Sequence, residues 1–228
     1  MRSKTIILIG FKNVGKSSIG LELARQMQDS FIDLDEAIEA AYTQMLSSST
    51  EGWDPVSNQV FLDPRLRPRD LVEDDKASIG DQNIHLRSEQ TKRLSCREIA
   101  QTHGEGYFRA LEKSVFAETI QKKPAVLSLG GGTVMDGDNQ ALLKDHIVIH
   151  ITAPYDLVFK RIMSNGLPSF FPVDESPHTS FYLLWEERDA VYKQLATFSI
   201  YNGSTVLAAV EKILNHNKMR ESSSVTLL

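Results

Sequence analysis

Cysteine is almost absent from this chain: Cys96 stands alone among 228 residues. That excludes an intramolecular disulfide and any multi-cysteine metal site, and it fits a reducing cytoplasm best. Cys96 itself reads as a small buried apolar residue near a helix start. A basic excess is lacking too. The formal net charge is −5 at pH 7, with no strongly localised positive patch, so no nucleic-acid partner is expected. The apolar runs are strand-sized and none approaches membrane-spanning length. Met1-Arg2-Ser3-Lys4 leads directly into an apolar stretch, so neither a targeting segment nor a membrane partner is expected. Histidines occur at 85, 103, 146, 150, 178 and 216 without a helical metal-ligand spacing, and none is assigned to zinc.

What is present is organised around Gly10 to Ser17, G-F-K-N-V-G-K-S, which follows the apolar run Thr5 to Ile9. A buried strand feeds a glycine-containing loop that opens a helix, predicted over Ser18 to Met27 with Ile19, Leu21, Leu23 and Ala24 as its apolar positions. This is the context a phosphate-binding loop requires. Gly10 and Gly15 let the backbone bend so that N–H groups of the loop, from Asn13 and Val14 through Ser18, point at phosphate oxygens. Lys16 is placed to reach the β- and γ-phosphates of a nucleoside triphosphate, and the Ser17 hydroxyl to ligate the accompanying Mg²⁺. With 41% hydrophobic content, one main domain over residues 1–217 is expected, followed by a polar tail over 218–228.

Phe31-Ile32-Asp33-Leu34-Asp35 reads as a short strand that places both aspartates on one side, ahead of a helix from Glu36 to Tyr42. One carboxylate of the pair suits a metal held through water and the other a proton acceptor; helix capping by Asp35 is the competing reading. Residues 43–92 change character, with a polar run at Ser47 to Thr50 and prolines at 55, 64 and 68, and read as an insertion. Its basic run at Arg65 to Arg69 is answered by Glu73-Asp74-Asp75, which favours a solvated loop over an anion site. Ser95 is a plausible cap for a helix ended by Gly104. The following helix, to about Gln121, carries Arg109 and Glu112 on one side, either as an ordinary surface ion pair or as an arginine oriented toward a carboxylate ligand.

The run Ala125 to Leu129 is a third buried strand, ending in Gly130-Gly131-Gly132, where the backbone can approach a ligand or simply turn. A helix over Asn139 to Lys144, a strand over Ile147 to Ile151 and a helix over Tyr155 to Met163, with Arg161 on it, come next. Residues 164–180 hold Gly166, Pro168, Pro172 and Pro177 and read as a lid or a long surface connection. A helix over Phe181 to Leu195 bears Arg188, flanked by acidic neighbours that offer it a purely local role. A strand over Phe198 to Tyr201 and a helix over Val206 to Asn215 close the pattern. Alternation of strand and helix predicts an α/β fold, a three-layer α/β/α sandwich around a mostly parallel five-stranded sheet.

The order of these motifs resembles the shikimate kinase family of P-loop kinases. The resemblance rests on G-F-K-N-V-G-K-S, F-I-D-L-D-E-A-I-E from Phe31, G-E-G-Y-F-R-A-L-E from Gly104, L-G-G-G from Leu129 and E-R-D-A-V-Y from Glu187. It implies transfer of the ATP γ-phosphoryl group to the 3-hydroxyl of shikimate in aromatic amino-acid biosynthesis, by a cytoplasmic, Mg²⁺-dependent monomer. By matching position, Lys16 and Ser17 hold phosphates and metal, Asp33 supports the metal, and Asp35 binds shikimate hydroxyls as candidate base. Arg109, oriented by Glu112, and Arg188 clasp the carboxylate, Gly131 and Gly132 line the substrate site, and Arg161 lies near the nucleotide.

Two departures keep other readings open. Leu167-Pro168 stands where the family's lid places an arginine before proline, and the insertion falls in the segment that covers shikimate. A kinase for another polyhydroxy acid such as gluconate, and a catalytically weak nucleotide- or shikimate-binding regulator, are the alternatives. The residues around adenine are not evident in Tyr201-Asn202-Gly203-Ser204.

Overall fold

Five apolar runs form five parallel strands in this computed structural model, which describes residues 4–48, 93–164 and 176–225. They are β1 (Ile6–Ile9), β2 (Phe31–Asp33), β3 (Val126–Ser128), β4 (Ile147–Thr152) and β5 (Phe198–Tyr201), in the order β2-β3-β1-β4-β5. Every residue of β1 is buried. Because side chains alternate across a strand, complete burial requires cover on both sheet faces, which is the three-layer arrangement expected. The chain leaves β1 toward β2 on one side and returns to β4 on the other, so the switch in strand order falls between β1 and β3. Ligands of open α/β sheets collect at the carboxyl ends of strands at such a point.

The helices among the described residues are α1 (Lys16–Met27), α2 (Leu34–Ser48), α3 (Cys96–His103), α4 (Glu105–Gln121), α5 (Gly137–Ala141), α6 (Tyr155–Met163), α7 (Pro177–Leu195) and α8 (Val206–Val225). In α1, Ile19, Leu23 and Ala24 are buried, whereas Leu21 is 62% exposed. Leu21 was expected among the apolar positions. At 3.6 residues per turn it sits about 200° around the helix from Ile19, on the solvent side.

Several boundaries differ from expectation for identifiable reasons. The strand at Phe31 ends at Asp33, because its Oδ1 accepts a hydrogen bond from the Asp35 N–H at 3.0 Å and starts α2 early. Asp35 is therefore in the first helical turn, neither on the strand nor the cap. Asp136 likewise accepts from Asp138 and Asn139 and starts α5 at Gly137. Pro177 opens α7, where its fixed φ and missing N–H are harmless. No glycine or proline interrupts residues 206–225, and α8 runs on through most of the tail expected to fray.

The chain divides into two compact units, Met1–Ala37 with Val115–Leu228, and Ile38–Ser114. The first contains the whole sheet. In the second, Ser95 and Glu98 form a reciprocal capping box at the start of α3, and Ile99 is buried. There Tyr42 and His103 are hydrogen-bonded at 2.7 Å, and the Glu39 carboxylate accepts from the Cys96 N–H at 3.2 Å. Cys96 is half-buried rather than buried, since it occupies the first turn of a helix whose inward residue is Ile99. The bulk of the insertion, the basic run and most of the proposed lid lie outside the described residues.

Candidate active site

Leaving β1, the backbone turns at Gly10 with φ +137°, where a Cβ would stand 2.3 Å from the Ile151 carbonyl oxygen. Gly15, at φ +99°, makes the second left-handed turn directly before α1. Only glycine fits these two positions without strain or clash. The Lys16 side chain curls back through the loop, its Nζ donating to the Gly10 and Phe11 carbonyls at 2.8 Å each. It is buried, and burial pushes its pKa down to about 8 against the pull of Asp35 and Asp33, while Lys12 lowers it further. The loop thus holds an ammonium whose charge is costly in the absence of an anion.

In the first turn of α1, Ser17 Oγ donates to Asp33 Oδ2 at 2.6 Å. Asp33 consequently serves two elements, capping α2 through Oδ1 and meeting the phosphate-loop helix through Oδ2. A hydroxyl and a carboxylate this close form a hard-oxygen pair that suits Mg²⁺, which keeps most of its waters and takes only one or two protein oxygens. Among the described residues no cluster of three or more His, Cys, Asp or Glu could hold a metal by itself. Asp35 sits near enough to Lys16 to favour its charged form.

Across the strand switch, the carboxyl end of β3 meets α7. The Gly131 carbonyl accepts a hydrogen bond from Tyr192 Oη and a longer one, 3.5 Å, from Arg188 Nη1. A Cβ on Gly131 would lie 3.2 Å from the Lys12 backbone nitrogen, so the triple-glycine turn rests against the phosphate loop. Tyr192 is fully buried, and burial raises its pKa even though Arg188 pulls the other way. Phe11 of the loop stacks on Trp185 with centroids 4.7 Å apart, and the Arg188 guanidinium lies 5.8 Å from the Phe11 ring centre. His150 is buried, its ring 5.3 Å from that of Tyr192, with Nε2 3.8 Å from Asp189 Oδ1 and its Cδ2 3.3 Å from the position of a Cβ on Gly10. Burial depresses its pKa against the influence of Asp189. Lys16, Ser17, Asp33, Asp35, Gly131 and Arg188 therefore all belong to the sheet unit, at the carboxyl ends of β1, β2 and β3 and on α7. Gly132 precedes a short 3₁₀ turn over Thr133–Met135.

Arg109 and Glu112 belong to the second unit. Glu112 is 2% exposed and accepts from Arg109 Nη1 at 2.7 Å, while Glu105 takes Arg109 Nη2 at 2.7 Å. Burial lowers the arginine's pKa, but the two carboxylates outweigh it and hold the pKa above the usual value. A buried glutamate distinguishes this contact from an ordinary surface ion pair: it fixes the guanidinium plane.

Arg161, on α6, donates from Nη1 to the Asn13 carbonyl at 3.0 Å, which brings it to the outer side of the phosphate loop. Two residues here escaped the sequence reading. Tyr192 lay within a quoted motif with no role, and four positions separate it from Arg188, one helical turn, which is the signal that could have paired them. Asn202 donates from Nδ2 to the Val14 carbonyl at 2.8 Å, across 188 positions of sequence, and no local pattern marks such a contact. Leu167 lies outside the described residues.

A parallel sheet with this strand order and a phosphate-binding loop after its first strand defines an α/β protein of the P-loop kinase type. The chain matches the family described as shikimate kinase over residues 12–53 and 81–218. It belongs to the shikimate kinase family, a family of ATP-dependent small-molecule kinases. A shikimate kinase of Thermus thermophilus is 29% identical over 210 residues, covering 92% of this chain and 87% of its own. One from Frankia casuarinae is 26% identical over 86% of this chain, which spans 64% of that relative's length. Among solved structures, a shikimate kinase from Acinetobacter baumannii in complex with shikimate shares the fold with a TM-score of 0.67 at 20% identity, covering 95% of this chain and 94% of that one.

Proposed function

We propose that this chain transfers the γ-phosphoryl group of ATP to the 3-hydroxyl of shikimate, in a reducing cytoplasm and as a monomer. One observation carries the reading beyond family membership. Gly131, at the end of β3, touches the phosphate loop on one side and accepts hydrogen bonds from Arg188 and Tyr192 on the other. A cation suited to a substrate carboxylate is thereby fixed next to the place where phosphates bind.

In this reading the loop from Gly10 through Ser18 surrounds the phosphates, with Lys16 neutralising charge as it develops. Ser17 and Asp33 would hold Mg²⁺, which supplies further charge neutralisation on the phosphates when bound. Arg161, on the outer side of the loop, contributes to the nucleotide site. Arg188 and Arg109 bind the carboxylate of the acid, Glu112 keeps the Arg109 guanidinium in one plane, and Gly131 and Gly132 line the acceptor site. Asp35 holds the acceptor hydroxyl and takes its proton as the oxygen attacks the γ-phosphorus. The bond from that phosphorus to the bridging oxygen breaks, and ADP leaves with the electron pair. Most of the barrier reduction asked of the protein comes from placing these groups in line, since no covalent intermediate is required.

The test is a coupled assay of ADP release with Mg²⁺ and ATP present throughout. Release that begins on adding shikimate and saturates supports the reading, whereas well-folded protein that binds ATP and releases no ADP with shikimate rejects it. Gluconate and related hydroxy acids in the same assay show whether the acceptor is another polyol acid.

A further inference from the structure

Two successive carbonyls of the phosphate loop are fastened from outside. The Asn13 carbonyl accepts from Arg161 Nη1 at 3.0 Å, and Asn13 Nδ2 donates back to the Arg161 carbonyl at 3.3 Å. The next carbonyl, Val14, accepts from Asn202 Nδ2 at 2.8 Å. Asn202 is itself anchored, its backbone N–H donating to the Thr152 carbonyl at 2.7 Å just past the end of β5. The carboxamide lies so close to Gly15 that a Cβ there would stand 2.6 Å from Nδ2.

A trans peptide plane points its C=O and its N–H in opposite directions. Fixing the Val14 carbonyl on the Asn202 side therefore fixes the Gly15 N–H on the other side. Without an anchor, this peptide between two residues of a glycine-containing loop is free to rotate, and ordering it on phosphate binding costs conformational entropy. Asn13 is at φ +66° and Gly15 at φ +99°, so the loop occupies a conformation that local preferences alone do not select. An external acceptor-side tether is the device that holds it.

We infer that Asn202 is a positioning residue for the nucleotide phosphates: through the Val14 carbonyl it presets the Gly15 N–H toward the phosphate site before ATP arrives. The inference rests on the reading of Gly10 to Ser17 as the nucleotide-phosphate site. Asn202 touches the loop backbone and is not asked to touch substrate. The same contact explains why the carboxamide packs over Gly15, where any other residue would collide with it. Its effect falls on nucleotide affinity and leaves the acceptor side alone.

The test uses the full chain with Asn202→Ala and, as a second variant that keeps a small polar side chain, Asn202→Ser. Calorimetry with ADP and Mg²⁺ measures nucleotide binding without turnover, a separate titration measures shikimate, and ¹H–¹⁵N spectra of the ligand-free protein follow the Gly15 amide. ADP affinity is expected to fall about three- to tenfold, the equivalent of one hydrogen bond. Shikimate affinity stays unchanged, and the Gly15 amide resonance shifts or broadens in the variants. Unchanged ADP affinity in Asn202→Ala, with the unaltered protein binding ADP, overturns the inference alone. Equal weakening of both ligands, or loss of folded protein in both variants, makes Asn202 a general structural residue and also overturns it. Failure of the unaltered protein to bind ADP removes the phosphate-site reading and the inference with it.

Discussion

Ser17 and Asp33 are joined by a hydrogen bond of 2.6 Å that ties the first turn of α1 to the end of β2. The contact brings two hard oxygens together where the phosphate loop ends. If they hold Mg²⁺, Asp33→Asn removes the charged member while keeping a side chain that still caps α2. Apparent Mg²⁺ affinity in the shikimate-dependent assay is expected to fall roughly 10- to 100-fold. Thermal stability should change little. A Mg²⁺ titration curve that superimposes on that of the unaltered enzyme counts against the assignment.

Asp35 occupies the first turn of α2, close enough to raise the pKa of Lys16 electrostatically. Asp35→Asn keeps the shape and removes the base. Turnover is expected to drop by roughly 10²- to 10⁴-fold, with ADP binding at neutral pH retained. A variant with near-normal turnover eliminates Asp35 as the proton acceptor.

Lys16 titrates at about 8 in the folded protein against an ordinary value of 10.5. The folded state therefore binds fewer protons than the unfolded chain between those values, so the stability of the ligand-free protein rises with pH across that interval. Below about pH 8 the cost of burying the charged lysine is present in full; above it the cost is relieved. Nucleotide affinity runs the opposite way, since phosphates need the ammonium. Calorimetry should show ADP affinity declining above about pH 8 by up to about tenfold per unit. In Asp35→Asn the decline should begin at lower pH, because one of the charges that raises the lysine pKa is gone. A flat profile from pH 7 to 10 contradicts the assignment of Lys16.

Glu112 is nearly inaccessible to solvent while Arg109, its partner, is 41% exposed. Glu112→Gln is expected to cost about 1–3 kcal/mol of stability through loss of a charge-assisted hydrogen bond. Glu105 still pairs with the guanidinium, so the arginine remains but loses its fixed plane. The kinetic signature should be a raised KM for shikimate with the KM for ATP unaltered. Arg109→Lys should also raise the KM for shikimate, because an ammonium cannot reproduce the bidentate fork, and should lower stability as well, because Glu112 stays buried with a poorer partner. Equal changes in both KM values point to a general disturbance and away from carboxylate binding.

Much of this fold and site is legible along the sequence because it is locally encoded. The strand, turn and helix around Gly10 to Ser17 carry their own periodicity and glycines, and β4, α6 and β5 follow apolar patterns of sufficient length. What is not legible has non-local or competing local causes. Asp33 looked like one of two aspartates on a strand face, yet its carboxylate starts a helix and moves Asp35 off the strand. Leu21 follows the composition of an apolar helix but faces solvent. The burial of Glu112 cannot be read from its spacing to Arg109, which is the same for a surface ion pair. Tyr192 and Asn202 act on Gly131 and Val14 through contacts that span 61 and 188 residues, and such contacts exist only once the sheet order is set.

The central claim is that a phosphate loop and a carboxylate-binding cation flank one acceptor, and that the acceptor is shikimate. Its most direct measurement is ³¹P NMR of a reaction containing the protein, Mg²⁺, ATP and shikimate, followed to completion. The account predicts loss of the ATP γ-resonance with matched appearance of ADP and one phosphate monoester coupled to the ring proton at the 3-position of shikimate. ADP accompanied only by inorganic phosphate, or an unchanged ATP spectrum from folded protein that binds both ligands, contradicts it.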